Sequence, residues 1–376
     1  MRRIASPPRP DWQHKVEADG LVWHSGDQLC WDESAFYEFN ARDAELIRTA
    51  TGELETMTRA AVQHMIDERL YQRMGIPEAA VPLIESSWQA AAPSLLGRFD
   101  LTYDGVQQPK LLDYNADTPG SLLEAALVQW NWLEDLFPER EQFNSLHEQL
   151  IAEWKSLAPQ IPGGRVDVCF LDDSRESMTA AYLQDTAGQA GLGGSNFPIR
   201  EVGWNGRAFV GPADRPLCAV FKLYPREWMM RDAFGRHVAA APTLWMEPPW
   251  KMLLSNKGLL AVLWKLYPRH PNLLEASFDG PGLMMSWVKK PLFGRGGANI
   301  LVHQPGRDFE TAGGYGVEGF VYQALAPVGD FDGRYPVIGS WVIGHRAGAS
   351  AAGIGIRESA GPIVTSTAAF VPHLVG

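Results

Sequence analysis

The stretch Gln108 to Ala125, QPKLLDYNADTPGSLLEA, constrains the chain more than any other, because it reads as a strand that runs into an acidic turn and then into a helix. Leu111 and Leu112 supply its apolar start, and Asp113, Tyr114 and Asn115 finish the strand. Side chains alternate across a strand, so Asp113 and Asn115 are expected on one face and Tyr114 on the other. A carboxylate and an amide oxygen on one face, with Asp117 just beyond, make a hard oxygen cluster of the kind Mg²⁺ prefers. Asp117 or Thr118 is placed to cap the next helix, Pro119 suits its first position, and LLEAALVQWNWLEDLF supplies its apolar face. The plainer reading of the same residues is an acidic turn that only caps a helix.

Just upstream, Asp104-Gly105 reads as a turn joining FDLTY to PKLLDY. The resulting hairpin would bring Arg98 and Asp100 beside Asp113 and Asn115. A long helical pattern precedes it from Ala41 to Met74, ended by Gly75-Ile76-Pro77, and a shorter one runs from Glu78 to about Ala92. Helices at 121–136 and 140–157 are expected after it. RVDVCFLDDSRESMTAAYLQD then reads as a buried strand, an acidic turn and a helix. Asp172, Asp173 and Glu176 lie at the C-terminal end of that strand, where ligands bind in open α/β sheets, although such residues also serve as partners of a helix N-terminus. The pattern is of the α/β (α+β) class. At 376 residues, two or three packed portions are expected, with approximate boundaries of 1–160, 161–250 and 251–376.

A net charge of −11 without a basic stripe argues against nucleic acid as a partner. The acidity suits a cationic partner such as a polyamine, but it is also ordinary for a cytosolic enzyme. Three widely spaced cysteines, Cys30, Cys169 and Cys218, form neither a CxxC metal site nor a disulfide framework. MRRIASPPRPDW has no apolar run after its basic residues, and no stretch approaches a membrane span, so a cytoplasmic location without membrane contact is expected.

WVKKPLFGRGGANI places Lys289 and Lys290 at a strand end, followed by Gly294, Gly296 and Gly297 around Arg295. A strand-end lysine can reach phosphates, and glycines let backbone N–H groups approach an anion. It is not a Walker A sequence, and no GxGxxG follows a strand. Ser255-Asn256 can cap a helix with Lys257 on its first turn, where a cation invites an anionic partner. Tyr322-Gln323 fits an adenine pocket, and the flat fork of Arg357, in GIGIRES, suits a phosphoryl or carboxylate oxygen. Each alone is an ordinary surface group; in order they form a set suited to a triphosphate and Mg²⁺. No Ser-His-Asp or Cys-His arrangement is needed, and His24, His64 and His345 read as ordinary surface or core residues.

RFD, LDYNADTPGSLLEA, EPPW, SNKGLLAVLW, VKKPLFGRGGAN and IVTSTAAFVPH together resemble the synthetase domain of the glutathionylspermidine synthase family. The resemblance spans nearly the whole chain, and implies an ATP-grasp fold preceded by a pre-ATP-grasp-like α/β portion. Carried over by motif, it makes Asp100, Asp113 and Asn115 the Mg²⁺ ligands and puts Arg98 on phosphate or the reacting carboxylate. Phe99, Lys257, Lys290, Gly297, Tyr322 and Gln323 would surround ATP, and Arg357 would stabilise an acyl-phosphate or its transition state. The amidase domain of bifunctional members is expected to be absent. Thr118, Pro119 and Gly120 stand where glutathionylspermidine synthases carry thiol-peptide-binding serines, and Glu176 alone represents their polyamine-binding acidic pair. The chain therefore resembles more closely the stand-alone bacterial acid–amine ligases.

The implied reaction is Mg²⁺- and ATP-dependent amide formation between a small carboxylic acid, such as a glutathione-like peptide, and a polyamine-like amine. The alternatives are a ligase for other peptide or protein substrates, and a nucleotide-binding scaffold whose substrate site has decayed. Neither substrate identity nor oligomeric state is specified by these motifs.

Overall fold

The computed structural model describes residues 1–25, 30–172, 174–326, 329–344, 349, 351–361, 363–365 and 368–376. His345, Asp173 and part of the IVTST motif lie outside them. The elements that build the site are, along the chain, helix α1 (Ala41–Asp67), strands β1 (Leu96–Thr102) and β2 (Lys110–Asn115), and helix α2 (Leu146–Leu157). Strand β3 (Asp167–Phe170), helix α3 (Ser174–Gln189), strand β4 (Ala219–Leu223) and helix α4 (Gly258–Leu266) follow. Strands β5 (Trp287–Pro291), β6 (Phe320–Ala324), β7 (Tyr335–Ile343) and β8 (Ala351–Ser359) complete the set.

The central sheet is five-stranded and antiparallel, in the order Ala369–Val371, β8, β7, β1, β2. It therefore joins two strands from residues 1–160 to three from 251–376. A second sheet is wholly parallel, with β4 and β3 between Leu244–Met246 and Asn196–Pro198. A third, antiparallel sheet places β6 and β5 between Ala276–Ser277 and the outer strands Leu301–Gln304 and Arg307–Glu310. Among the described residues no helix is long and apolar enough to cross a membrane.

Apolar periodicity explains how the central sheet is covered. Leu54, Met57, Ala61 and Met65 of α1 recur at helical spacing and are buried with Leu260 and Leu263 of α4 and Ile338, Ile354 and Ile356 of the sheet. Trp132, Leu146, Leu150 and Trp154 build a second core with Trp341 of β7 and with Val168 and Phe221 of the parallel sheet. α1 begins at a capping box in which the Asn40 side chain accepts the Asp43 N–H and the Asp43 carboxylate accepts the Asn40 N–H.

Several helix boundaries differ from the sequence reading. The first helix stops at Asp67 rather than Met74, and the segment to Gly75 continues as turns. The helix expected from 140 begins at Leu146, because Asn144 and Ser145 are held to the chain around Gly353 instead. After the acidic turn, helix starts at Leu122, not at Pro119, and passes through a π-helical segment at Glu124–Val128. Neither Asp117 nor Thr118 caps it, since both are bonded elsewhere.

Candidate active site

The Asp104-Gly105 hairpin forms as the sequence implies. β1 and β2 are antiparallel, with Asp100 opposite Asp113 and Arg98 opposite Asn115. Between the Asp100–Asp113 and Leu101–Leu111 pairs the register shifts, so Leu112 is an extra residue on β2. This bulge reconciles two demands. Leu111 and Tyr114 enter the core below, while Asp113 and Asn115 face the other way, toward Arg98 and Asp100. It also frees the Leu112 carbonyl, which accepts a hydrogen bond from Lys290 Nζ at 2.8 Å.

Asp100 is the hub of the site. Arg98 donates from Nε to Oδ1 at 2.7 Å and from Nη2 to Oδ2 at 3.1 Å, Arg357 donates to Oδ2 at 2.7 Å, and the Asn115 amide donates to Oδ2 at 3.2 Å. Arg357 reaches it from β8, two strands beyond β1 in the sheet. Gly339 of β7, opposite Asp100, leaves room for the flat stem of Arg98: a Cβ there would lie 2.8 Å from Arg98 Cδ. Beside this group, Lys257 pairs with Asp113 at 2.6 Å. Asn256 caps α4 through the Gly258 N–H, and Lys257 occupies the residue before the helix rather than its first turn.

Electrostatics follow from burial and proximity. Burial alone would raise the Asp100 pKa, but the guanidiniums of Arg98 and Arg357 outweigh it and hold the carboxyl down to about 2. Burial pushes Lys290 down to about 8, against the pull of Asp113 and with the repulsion of Lys257 added. Burial also lowers Arg357, with Arg98 repelling it and Asp100 opposing both. Four cations, Arg98, Arg357, Lys257 and Lys290, thus surround two carboxylates, Asp100 and Asp113, leaving two positive charges in excess.

That donor set fits Mg²⁺ held together with a polyphosphate. Among the described residues no three His, Cys, Asp or Glu side chains form a closed metal cage. Mg²⁺ characteristically takes one or two protein carboxylates and completes its shell with waters and substrate phosphates. Asp100, Asp113 and Asn115 would supply such a partial shell, and the surplus cations have the charge to match an anionic remainder.

Other expected residues sit differently. The Phe99 side chain points away from the site and stacks on Tyr114 at 3.9 Å, so only its main chain borders the arginine face. Gln323 spends its amide inside the protein: Oε1 accepts from Lys290 at 2.6 Å and Nε2 donates to the Leu111 carbonyl at 2.9 Å. Gln323 therefore bolts the third sheet to β2 and has no amide edge turned to a base. Tyr322 is half-buried, edge-on to Trp287. Gly297, at φ +71°, packs under the Val364 carbonyl, 3.0 Å from where a Cβ would lie. Gly120 takes part through its carbonyl, which accepts from Arg98 Nη1, and Thr118 accepts from Arg295 at 2.8 Å. Glu176 stands apart at the head of α3, where its carboxylate accepts the Leu171 N–H. Asp172 is ion-paired with Arg200, and His24 bonds Glu17.

Asp117 corrects the opening reading. Instead of joining the oxygen cluster, its carboxylate turns into the parallel sheet, bonding Lys222 Nζ at 2.5 Å and the Arg226 N–H at 2.8 Å. Sequence reasoning missed Lys222 and Arg226. The available signal was a lysine in the middle of the apolar strand AVFKL, which has to find a buried counter-charge.

A sheet carrying clustered arginines and carboxylates, faced by a second sheet that delivers a lysine, defines an ATP-grasp-type α/β protein. The same architecture occurs in a glutathione synthetase-like effector from Globodera pallida, which superposes with a TM-score of 0.61 at 8% identity, covering 97% of this chain and 96% of that one. Residues 3–376 match the family described as "Glutathionylspermidine synthase preATP-grasp", and the chain belongs to that glutathionylspermidine synthase family. A Haemophilus influenzae protein described as "Putative acid--amine ligase" is 39% identical over 396 residues, covering 99% of both chains. Trypanothione synthetase of Crithidia fasciculata is 27% identical over 332 residues, covering 80% of this chain and 50% of that protein. The bifunctional glutathionylspermidine synthetase/amidase of Escherichia coli is 27% identical over 366 residues, with 88% and 58% covered. The chain thus spans only part of these two longer relatives.

Proposed function

We propose that the protein is an ATP- and Mg²⁺-dependent carbon–nitrogen ligase that joins a carboxylic acid, of the glutathione-like peptide class, to a polyamine-like amine through an acyl-phosphate. The observation that carries this reading is the convergence on Asp100 and Asp113 of four cations from separate elements, Arg98 of β1, Arg357 of β8, Lys257 before α4 and Lys290 of β5. Membership of a family whose relatives include a glutathionylspermidine synthetase and a trypanothione synthetase supports the substrate classes.

In this mechanism the substrate carboxylate attacks the γ-phosphorus, the bond to the bridging oxygen breaks, and ADP leaves. The amine then attacks the acyl carbon, inorganic phosphate departs, and the amine releases a proton. Arg98 and Arg357 are positioned to clamp the transferring group, and Lys257 and Lys290 to neutralise the polyphosphate. Asp100, Asp113 and Asn115 would hold Mg²⁺, which when bound offsets charge on the phosphate oxygens. Little covalent chemistry is asked of the protein; orientation and charge supply most of the acceleration.

The test is phosphate release from ATP with Mg²⁺, screened over pairs of small peptide acids and polyamines. Release that requires both members of a pair, and that is lost in Asp113→Ala and Arg357→Ala, is expected. Undiminished release in either folded variant argues against the site, and no stimulation by any pair favours a nucleotide-binding scaffold.

A further inference from the structure

The active hairpin is held at both ends by one buried charge network, whose partners come from a strand of the parallel sheet and from the segments that follow its strands. At the outgoing end, Asp117 is bonded to Lys222 of β4 and to the main-chain N–H of Arg226. From the same Arg226, the guanidinium donates to the main-chain carbonyl of Glu247. The Glu247 carboxylate closes the circuit at the incoming end by accepting the N–H groups of Leu95 at 2.9 Å and Leu96 at 3.0 Å, where β1 begins. Lys251 neutralises it at 2.8 Å and also donates to the Leu96 carbonyl. Lys222, Arg226 and Glu247 are 0% exposed, and Asp117 and Lys251 are 1% exposed.

Burying so many charges is not an efficient route to stability. An apolar set of similar volume often does as well or better, so stability alone does not account for this network, and what it holds in place has to be asked of the geometry. The geometry fixed here is close to the chemistry. Asp117 anchors the turn whose Gly120 carbonyl accepts Arg98 Nη1 at 2.5 Å, and Arg98 in turn grips Asp100. Glu247 fixes the start of the strand that carries both residues. Arg226 ties the two anchors together.

We propose that Asp117, Arg226 and Glu247 form a positioning clamp that sets Arg98 and Asp100 for nucleotide binding, with Asp117 acting through the turn and not as a metal ligand. The proposal rests on the nucleotide reading of the site given above. It explains why Asp117, the second acidic residue of the DYNAD motif, faces away from Asp113 and Asn115. The EPPW motif gains a role as well, because its glutamate is the strand-end anchor.

The test measures binding of the non-hydrolysable ATP analogue AMPPNP by calorimetry while Mg²⁺ is titrated, with thermal unfolding in parallel. The variants are D117N/K222M, which removes both members of the buried pair together, and E247Q, which keeps an acceptor oxygen for β1. The expected result is a folded D117N/K222M protein with near-native thermal stability, AMPPNP affinity lowered about ten-fold, and an unchanged half-saturating Mg²⁺ concentration. Asp113→Asn, by contrast, should shift the Mg²⁺ requirement. Wild-type affinity in folded D117N/K222M would overturn the clamp, and so would a shifted Mg²⁺ requirement. E247Q decides in the same way if the double variant does not fold. Failure of the wild type to bind AMPPNP at all would instead sink the nucleotide reading. The clamp is then judged by hydrogen exchange, which should accelerate together at residues 95–100 and 116–121 in the variants; unchanged protection there refutes it.

Discussion

Replacing Asp100 by Asn tests the electrostatic centre of the site at nearly constant shape. The carboxyl is buried and, with Arg98 and Arg357 on it, is held down to about 2 from an ordinary value of 3.8. A difference of 3.8 − 2 = 1.8 units at 1.36 kcal/mol each corresponds to about 2 kcal/mol of folding stability from the ionised form. Because the folded value is the lower one, this contribution is fully present above 3.8 and is lost as pH falls through about 2. Asn also places an amide N–H near two guanidiniums that were previously neutralised, so about 2 kcal/mol is the lower expectation at pH 7. The assay is urea unfolding of wild type and D100N across a pH series, reading the difference between them so that other carboxylates cancel. Roughly half of the charge-dependent gap should have vanished by about pH 3. A gap that is absent at pH 7, or that stays constant down to the acid limit, would refute the claim that two arginines bind an ionised Asp100 in the folded protein.

Lys290 carries the opposite sign. Its folded value of about 8 lies below the ordinary 10.5, so its charge opposes folding below about pH 8, and that opposition fades as pH rises toward 10.5. Lys290→Met lifts that opposition but leaves the buried Gln323 Oε1 and the Leu112 carbonyl without their donor, so it should lose nucleotide affinity and gain less stability at pH 7 than the charge alone implies, and wild-type affinity for Mg-AMPPNP should itself decline as pH rises through about 8, as calorimetry would reveal. Gly339→Ala puts a methyl group 2.8 Å from Arg98 Cδ, and the forced shift should cost about 1–3 kcal/mol in urea unfolding and weaken nucleotide binding; native behaviour would mean that Arg98 is free to move aside. Gln323→Ala should weaken ATP and GTP binding by the same factor, since its amide serves Lys290 and Leu111 and not a base; a changed ATP-to-GTP ratio in competition binding would contradict that.

The division between what could and could not be read in the sequence follows the range of each interaction. Asp104-Gly105 between two alternating runs is a local signal, and the hairpin it announces brings Arg98, Asp100, Asp113 and Asn115 together. Lys257, Lys290 and Arg357 were recognisable as a set, because several cations near strand ends and a helix start require an anion. Three features were not accessible to that reasoning. The bulge at Leu112 depends on how β2 pairs, and without it strict alternation would put Leu111 on the same face as Asp113. Gln323 has the chemistry of a base reader, yet Lys290 and the Leu111 carbonyl claim both ends of its amide, a competition visible only once the two sheets meet. Asp117 has the local setting of a helix cap or a third metal ligand. Its fate is decided by Lys222, 105 positions away, whose buried ammonium cannot go without a partner. The residue types at this site thus bound the available chemistry, while the partner each carboxylate meets in the folded chain decides which of them are left to do it.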